Sequence, residues 1–105
     1  MSSSTTFSYK LTTENELFYI DFSQVLTDGE VISSATSTID VMSGVDPSPQ
    51  SIKVGAPSIN GSSVAQRIYN GIAGVTYRFV ITIRTNYGNT YTAFGDIPVY
   101  SPSEQ

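Results

Sequence analysis

Val75-Thr76-Tyr77-Arg78-Phe79-Val80-Ile81-Thr82-Ile83-Arg84-Thr85, followed by Asn86-Tyr87-Gly88-Asn89 and then by Thr90 to Val99, is the stretch that decides the fold. Tyr77, Phe79, Ile81 and Ile83 recur at period two, with Arg78, Thr82 and Arg84 between them, which is the pattern of a half-buried strand. Asn, Gly and Asn in the connection supply hairpin turn chemistry, so Thr90 to Val99 is expected as the antiparallel partner. Within that partner Gly95 is expected as a bulge, and Pro98 suggests an edge position or a late irregularity.

The same alternation recurs upstream. Leu17 to Phe22 places Phe18, Ile20 and Phe22 on one side and Tyr19 and Asp21 on the other. Thr27-Asp28-Gly29-Glu30 is a turn, and from it runs Val31 to Val41, with Val31, Ser33, Ala35, Ser37, Ile39 and Val41 expected inward. Ser43 to Gln50 carries Gly44, Pro47 and Pro49 and reads as a loop. A short strand Ser51 to Val54, a break from Gly55 to Gly61 and a strand Ser62 to Tyr69 follow, closed by the turn signal Asn70-Gly71. A further extended segment is expected at Phe7 to Leu11. About seven short strands with no helical periodicity predict an all-β, antiparallel, Ig-like β-sandwich.

The chain has 105 residues, which suits one domain over 1–105, with a core at about 17–99 and short polar arms at Met1 to Thr6 and Tyr100 to Gln105. It contains no His, Cys or Trp. The commonest general base, the commonest thiol nucleophile and the usual transition-metal ligands are thus missing, and no enzymatic activity and no cofactor are expected. Lys10 or Lys53 serving as a base would be a rare alternative. A net charge of −4 argues against nucleic acid as partner. No stretch is apolar enough for a membrane span and the start MSSSTT lacks signal-peptide character, so no membrane partner is expected. Charged residues make up only 13% of the chain, which fits a protein whose surface is spent in an assembly.

Candidate site residues follow from this composition. Tyr77 stands at the head of the strongest strand just after Gly74, where a corner tyrosine folds its ring over the turn and bonds upstream backbone. Asp21, Asp28, Glu30, Asp40 and Asp46 could interest calcium, but only Asp28 and Glu30 are close in sequence. Solvated turn carboxylates are therefore expected and no metal. Tyr19, Tyr69, Tyr87, Tyr91 and Tyr100 fall on polar faces, loops or ends, and suit either cross-strand packing or a protein interface. A carbohydrate-binding or adhesin role is weaker, since the best stacking platform, Trp, is absent.

Leu17-Phe18-Tyr19-Ile20-Asp21-Phe22-Ser23-Gln24-Val25-Leu26, Asp28-Gly29-Glu30-Val31-Ile32-Ser33-Ser34, Gly71-Ile72-Ala73-Gly74-Val75-Thr76-Tyr77 and Thr82-Ile83-Arg84-Thr85-Asn86-Tyr87-Gly88 together resemble the small immunoglobulin-like structural proteins of tailed bacteriophages. The resemblance covers about residues 17 to 99. Two departures are Phe22, where those proteins carry tryptophan, and Asn70-Gly71-Ile72 in place of a double glycine. It implies a virion protein made in the host cytoplasm: a fibre-tail adaptor or head-tail connection protein that docks on neck, tail, fibre or capsid proteins in multiple symmetric copies. Capsid decoration is the alternative it leaves open.

Overall fold

The computed structural model describes the backbone of residues 2–6 and the whole of residues 10–101. Its strands are β1 (Ser2–Thr6), β2 (Lys10–Leu11), β3 (Asn15–Asp21), β4 (Ile32–Ser43), β5 (Lys53–Asn60), β6 (Ser63–Tyr69), β7 (Thr76–Thr85) and β8 (Thr90–Tyr100). They form two sheets. The larger runs β1-β8-β7-β4, with β2 also on β8, and the smaller runs β3-β6-β5. The fold is therefore an all-β sandwich, and β1 and β2 together take the place of its first strand.

Strict alternation explains the centre of the larger sheet. Tyr77, Phe79, Ile81 and Ile83 are fully buried on β7, and β8 answers with Ala93, Ile97 and Val99. The smaller sheet contributes Phe18, Ile20, Val64 and Ile68 from its inner face, closing one continuous core with Ile39 and Ile52. Burying such side chains stabilises by roughly 1.5–3 kcal/mol each before entropy is counted.

One polar link crosses this core. Gln66 on β6 is wholly buried, and its Oε1 accepts a 2.6 Å hydrogen bond from the Ser37 hydroxyl on β4. Its Nε2 donates to the carbonyls of Val54, Gly55 and Arg67.

Several expectations need correction. On β4 Ile32 is buried and Val31 is 57% exposed, because a register shift between Ile32 and Ser34 reverses the faces at the strand's start. From Ala35 onward the expected inward set holds. Gly95 is no bulge: it pairs in regular register with Phe79, where its missing side chain leaves the inner face to the phenylalanine ring. Pro98 fits because the Val99 N–H and C=O bond to Val75 and Gly74, which turns the neighbouring proline nitrogen away from β7.

The segment expected as a break at Gly55 to Gly61 is strand as far as Asn60. Pairing with β6 carries it past Pro57, at the cost of a register shift between Val54 and Ser58. Ser51 belongs instead to a 3-10 turn, Pro49–Ile52. Ser2–Thr6, expected as part of a polar arm, runs parallel to β8 from Ser2 opposite Thr92 to Thr6 opposite Asp96. Tyr100, expected in the other arm, ends β8. Of the segment expected at Phe7 to Leu11, Lys10 and Leu11 form β2 and residues 7–9 lie outside the described residues, as do Met1 and residues 102–105.

Candidate docking face and its supports

The antiparallel register of β3 on β6 sets Leu17 opposite Arg67, Tyr19 opposite Ala65 and Asn15 opposite Tyr69, all on the outer face of the smaller sheet. Val54 on β5 pairs with the same Arg67. Leu17 is 50% exposed, Tyr19 62%, Val54 43% and Tyr69 42%. Large apolar side chains thus lie side by side where a free-standing sheet would carry polar ones. Leu17, Tyr19, Asn60, Ser63 and Ala65 line a shallow depression of about 340 Å³ within this face.

The outer face of the larger sheet is different. Arg78 there forms a bidentate pair with Asp96, Nε to Oδ1 at 2.8 Å and Nη2 to Oδ2 at 3.1 Å, and its guanidinium lies 4.2 Å from the centre of the Phe94 ring. Thr82 and Thr92 bond each other across the strands. Those groups already satisfy one another, and among the described residues the large apolar side chains this face exposes, Met42 and Tyr100, stand near the ends of their strands rather than side by side.

Tyr77 occupies the corner between β6 and β7. Its hydroxyl accepts the Ile72 N–H at 2.9 Å and donates to Asp46 Oδ2 at 2.7 Å. Burial, and after it the Asp46 carboxylate beside the hydroxyl, pushes the phenol up to about 12. Gly74 turns the chain at φ +86°, and its N–H bonds the Val99 carbonyl. Asp46 Oδ1 meanwhile accepts the Ser48 N–H. The tyrosine therefore ties the loop after β4 to the corner before β7. Asp46 was missed as its partner, although Asp46-Pro47-Ser48 is a signal for an Asp-capped turn.

Glu30 is no solvated turn carboxylate; it is 5% exposed. Its Oε1 accepts from the Thr27 N–H and hydroxyl, and its Oε2 from the Thr85 hydroxyl and the Asn89 amide. The Thr85 hydroxyl, then the Thr27 N–H and the Asn89 amide, hold its carboxyl down at about 2. Beside it the Tyr87 hydroxyl donates to the Asp28 carbonyl at 2.9 Å, and the Asn86 side chain bonds Val31 and Gly29 backbone. This cluster locks the loop before β4 onto the β7–β8 hairpin.

The tyrosines expected at an interface are therefore not one surface. Tyr19 and Tyr69 share the outer face of the smaller sheet. Tyr87 is exposed but its hydroxyl is committed to the loop clamp, Tyr91 turns inward against the core, and Tyr100 stands at the end of β8. For Tyr91 the polar-face expectation fails because β8 keeps strict alternation with buried Ala93. Leu17 and Val54 were missed, and Leu17 alone carried a signal, an apolar residue on the polar side of the Phe18, Ile20, Phe22 alternation. The lysines considered as bases hold backbone: Lys10 is buried with Nζ on the carbonyls of Leu11 and Asn70, and Lys53 Nζ bonds the Ser37 carbonyl. Among the described residues, no three His, Cys, Asp or Glu side chains gather as metal ligands.

Comparison with known proteins adds one strong match. The sequence model of the family described as Gp77, podophage GP4 fiber-tail adaptor protein gp77, matches residues 10–96. No curated protein matches the sequence. Among solved structures the chain is similar to a 2,6-sialyltransferase of Vibrionaceae Photobacterium sp. JT-ISH-224, at a TM-score of 0.47 and 11% identity. That similarity covers 94% of this chain and 18% of the sialyltransferase chain.

Proposed function

We propose, from the premise that this chain belongs to the podophage GP4 fiber-tail adaptor protein gp77 family, that it joins tail or neck to fibre by docking through the outer face of β3-β6-β5. Membership makes it a phage structural adaptor and a virion component. The observation that supports the docking face is the adjacency of exposed Leu17, Tyr19, Val54 and Tyr69 on one sheet, against the internally paired face of the other. Tyrosine anchors such as Tyr19 and Tyr69 are of the kind that dominate the energy of a protein interface, Leu17 and Val54 add apolar cover around them, and a rigid sheet presents all four without a backbone ordering cost. Several copies in a closed ring would present the face repeatedly to a symmetric partner.

The test is incorporation into particles. Leu17→Ser with Tyr19→Ser is expected to melt like the parent, because both side chains are exposed, and to lower the copy number on purified virions by about tenfold or more. Arg84→Ser, on the outer face of the larger sheet, should leave incorporation unchanged. Full incorporation of the double variant would show that docking uses another surface.

A further inference from the structure

We propose that the free edge of β3 accepts one extended, lysine- or arginine-bearing segment of a virion partner as an added strand. The proposal rests on the adaptor reading above and specifies how one partner is held.

Among the sheet edges, that of β3 is the most open to pairing. Edge strands invite pairing, and proteins blunt them by shortness, bulges, proline or side-chain cover. On the larger sheet one edge is made by β1 and β2, of 5 and 2 residues. At its other edge, β4, the Gln50 amide both accepts from the Ile39 N–H and donates to the Ile39 carbonyl, while Lys53 Nζ takes the Ser37 carbonyl. On the smaller sheet β5 is interrupted between Val54 and Ser58 and contains Pro57. β3 carries none of these devices: its 7 residues pair with β6 without a register shift and include no proline or lysine, and what protects its edge is charge, from Glu16 and Asp21.

The topology explains the open edge. In a common sandwich arrangement the first strand lies beside the second and covers it. Here β1 and β2 lie on β8 in the other sheet, so among the described residues β3 pairs with β6 alone.

The backbone groups on that edge can be assigned. Phe22 N–H donates to the Ser62 carbonyl at 2.8 Å, continuing the β3–β6 register. Antiparallel ladders alternate, so Phe18, Ile20 and Phe22 turn their N–H and C=O toward β6. Asn15, Leu17, Tyr19 and Asp21 therefore direct theirs to the edge, and these residues also carry the exposed side chains of the docking face. An added strand would gain main-chain hydrogen bonds and lay alternate side chains over Leu17 and Tyr19 in one movement.

Charge selects the occupant. Glu14 and Glu16 stand at one end of the edge and Asp21 at the other. Burial, and after it the adjacent Glu14, raises the Glu16 carboxyl; Lys10 nearby offsets this only in part, and an incoming cation would relieve the rest of the like-charge crowding. A second copy of this chain is poorly suited as donor. Of its 5 basic side chains, Lys10, Lys53, Arg67 and Arg78 are already bonded to partners within the chain.

The test uses a seven-residue synthetic peptide of alternating Thr and Val with a lysine at each end, added to the folded protein while amide hydrogen exchange is followed by NMR. Exchange at Leu17, Tyr19 and Asp21 is expected to slow by about tenfold or more, while Phe18 and Ile20, already bonded to β6, stay unchanged. A peptide N-methylated at alternate residues should give no protection. Absence of protection at Leu17, Tyr19 and Asp21 at millimolar lysine peptide would overturn strand addition. Equal protection by a glutamate-ended peptide would overturn the basic partner. Particle incorporation judges the adaptor reading separately: a chain that incorporates through Leu17 and Tyr19 yet shows no edge protection keeps its adaptor role and loses this mode of holding.

Discussion

Ser37 on β4 and Gln66 on β6 meet across the sandwich core through a 2.6 Å hydrogen bond, a side-chain link between sheets whose shared core is otherwise mostly apolar, while at their edge Lys53 Nζ of β5 bonds the Ser37 carbonyl. The same glutamine amide gathers the carbonyls of Val54 and Gly55, where β5 leaves its register with β6. It thus completes hydrogen bonding that the ladder omits.

Gln66→Leu preserves volume but leaves the Ser37 hydroxyl and those carbonyls without a donor or acceptor. An unsatisfied buried group such as the Ser37 hydroxyl costs about 1–3 kcal/mol, whereas the Val54 and Gly55 carbonyls belong to exposed residues that water can reach, so a loss in that range is expected in urea denaturation. Adding Ser37→Ala should recover part of it by removing one orphaned group. Full additivity of the two changes would show that they do not interact.

Tyr77→Phe keeps the buried ring and removes the hydroxyl that serves both Ile72 and Asp46. The expected cost is about 1–3 kcal/mol, read from the denaturation midpoint. The phenol's pKa is raised in the folded chain, so the stability it contributes is present below its ordinary value of 10.0 and lost as pH rises through about 12. A tyrosinate absorbance titration should show one phenol ionising last, together with loss of structure. That late step should be missing from Tyr77→Phe.

Glu30 gives the opposite sign. Its folded carboxyl is held at about 2 against an ordinary 4.5, so its contribution is present above 4.5 and lost as pH falls toward 2. Glu30→Gln should lower the melting temperature at pH 7 and flatten the acid limb of the stability curve. Asp21, whose carboxyl is lowered by the Ser23 N–H, retains a smaller slope of the same sign. An acid limb identical to the parent's would show that Glu30 is not held as an anion by Thr85, Thr27 and Asn89.

What sequence reading could reach depended on whether side chains report their own burial. β7 was legible because Tyr77, Phe79, Ile81 and Ile83 alternate without a break. β1 was illegible for the converse reason: Ser2–Thr6 offers no apolar residue, and its placement is read only from its pairing with β8. Val31 and Ile32 are equally apolar, and only a register shift decides between them. Pro57 hid β5 because an edge strand tolerates what a central strand excludes. In the candidate face, Tyr19 and Tyr69 were visible as residues, but their neighbourhood with Leu17 and Val54 depends on the β3-β6-β5 register. Asp46 and Tyr77 lie 31 positions apart, and no local pattern joins them.

Gly29 and Tyr87 supply a coupling that can be measured. Gly29 turns at φ +81°, and a Cβ built there would stand 2.6 Å from the Tyr87 hydroxyl oxygen. Gly29→Ala therefore carries a left-handed backbone cost of about 1–2 kcal/mol and displaces the hydroxyl from the Asp28 carbonyl. Gly61→Ala, at φ +62° with no atom within 4 Å of its Cβ, carries the backbone cost alone and serves as the reference. Tyr87→Phe removes the oxygen that the new methyl meets. In that background Gly29→Ala should cost no more than Gly61→Ala, and in the parent it should cost more. Both costs come from urea midpoints, and an equal loss at Gly29 in the two backgrounds would mean that the ring moves aside freely, leaving Tyr87 no part in holding the loop before β4 against the hairpin.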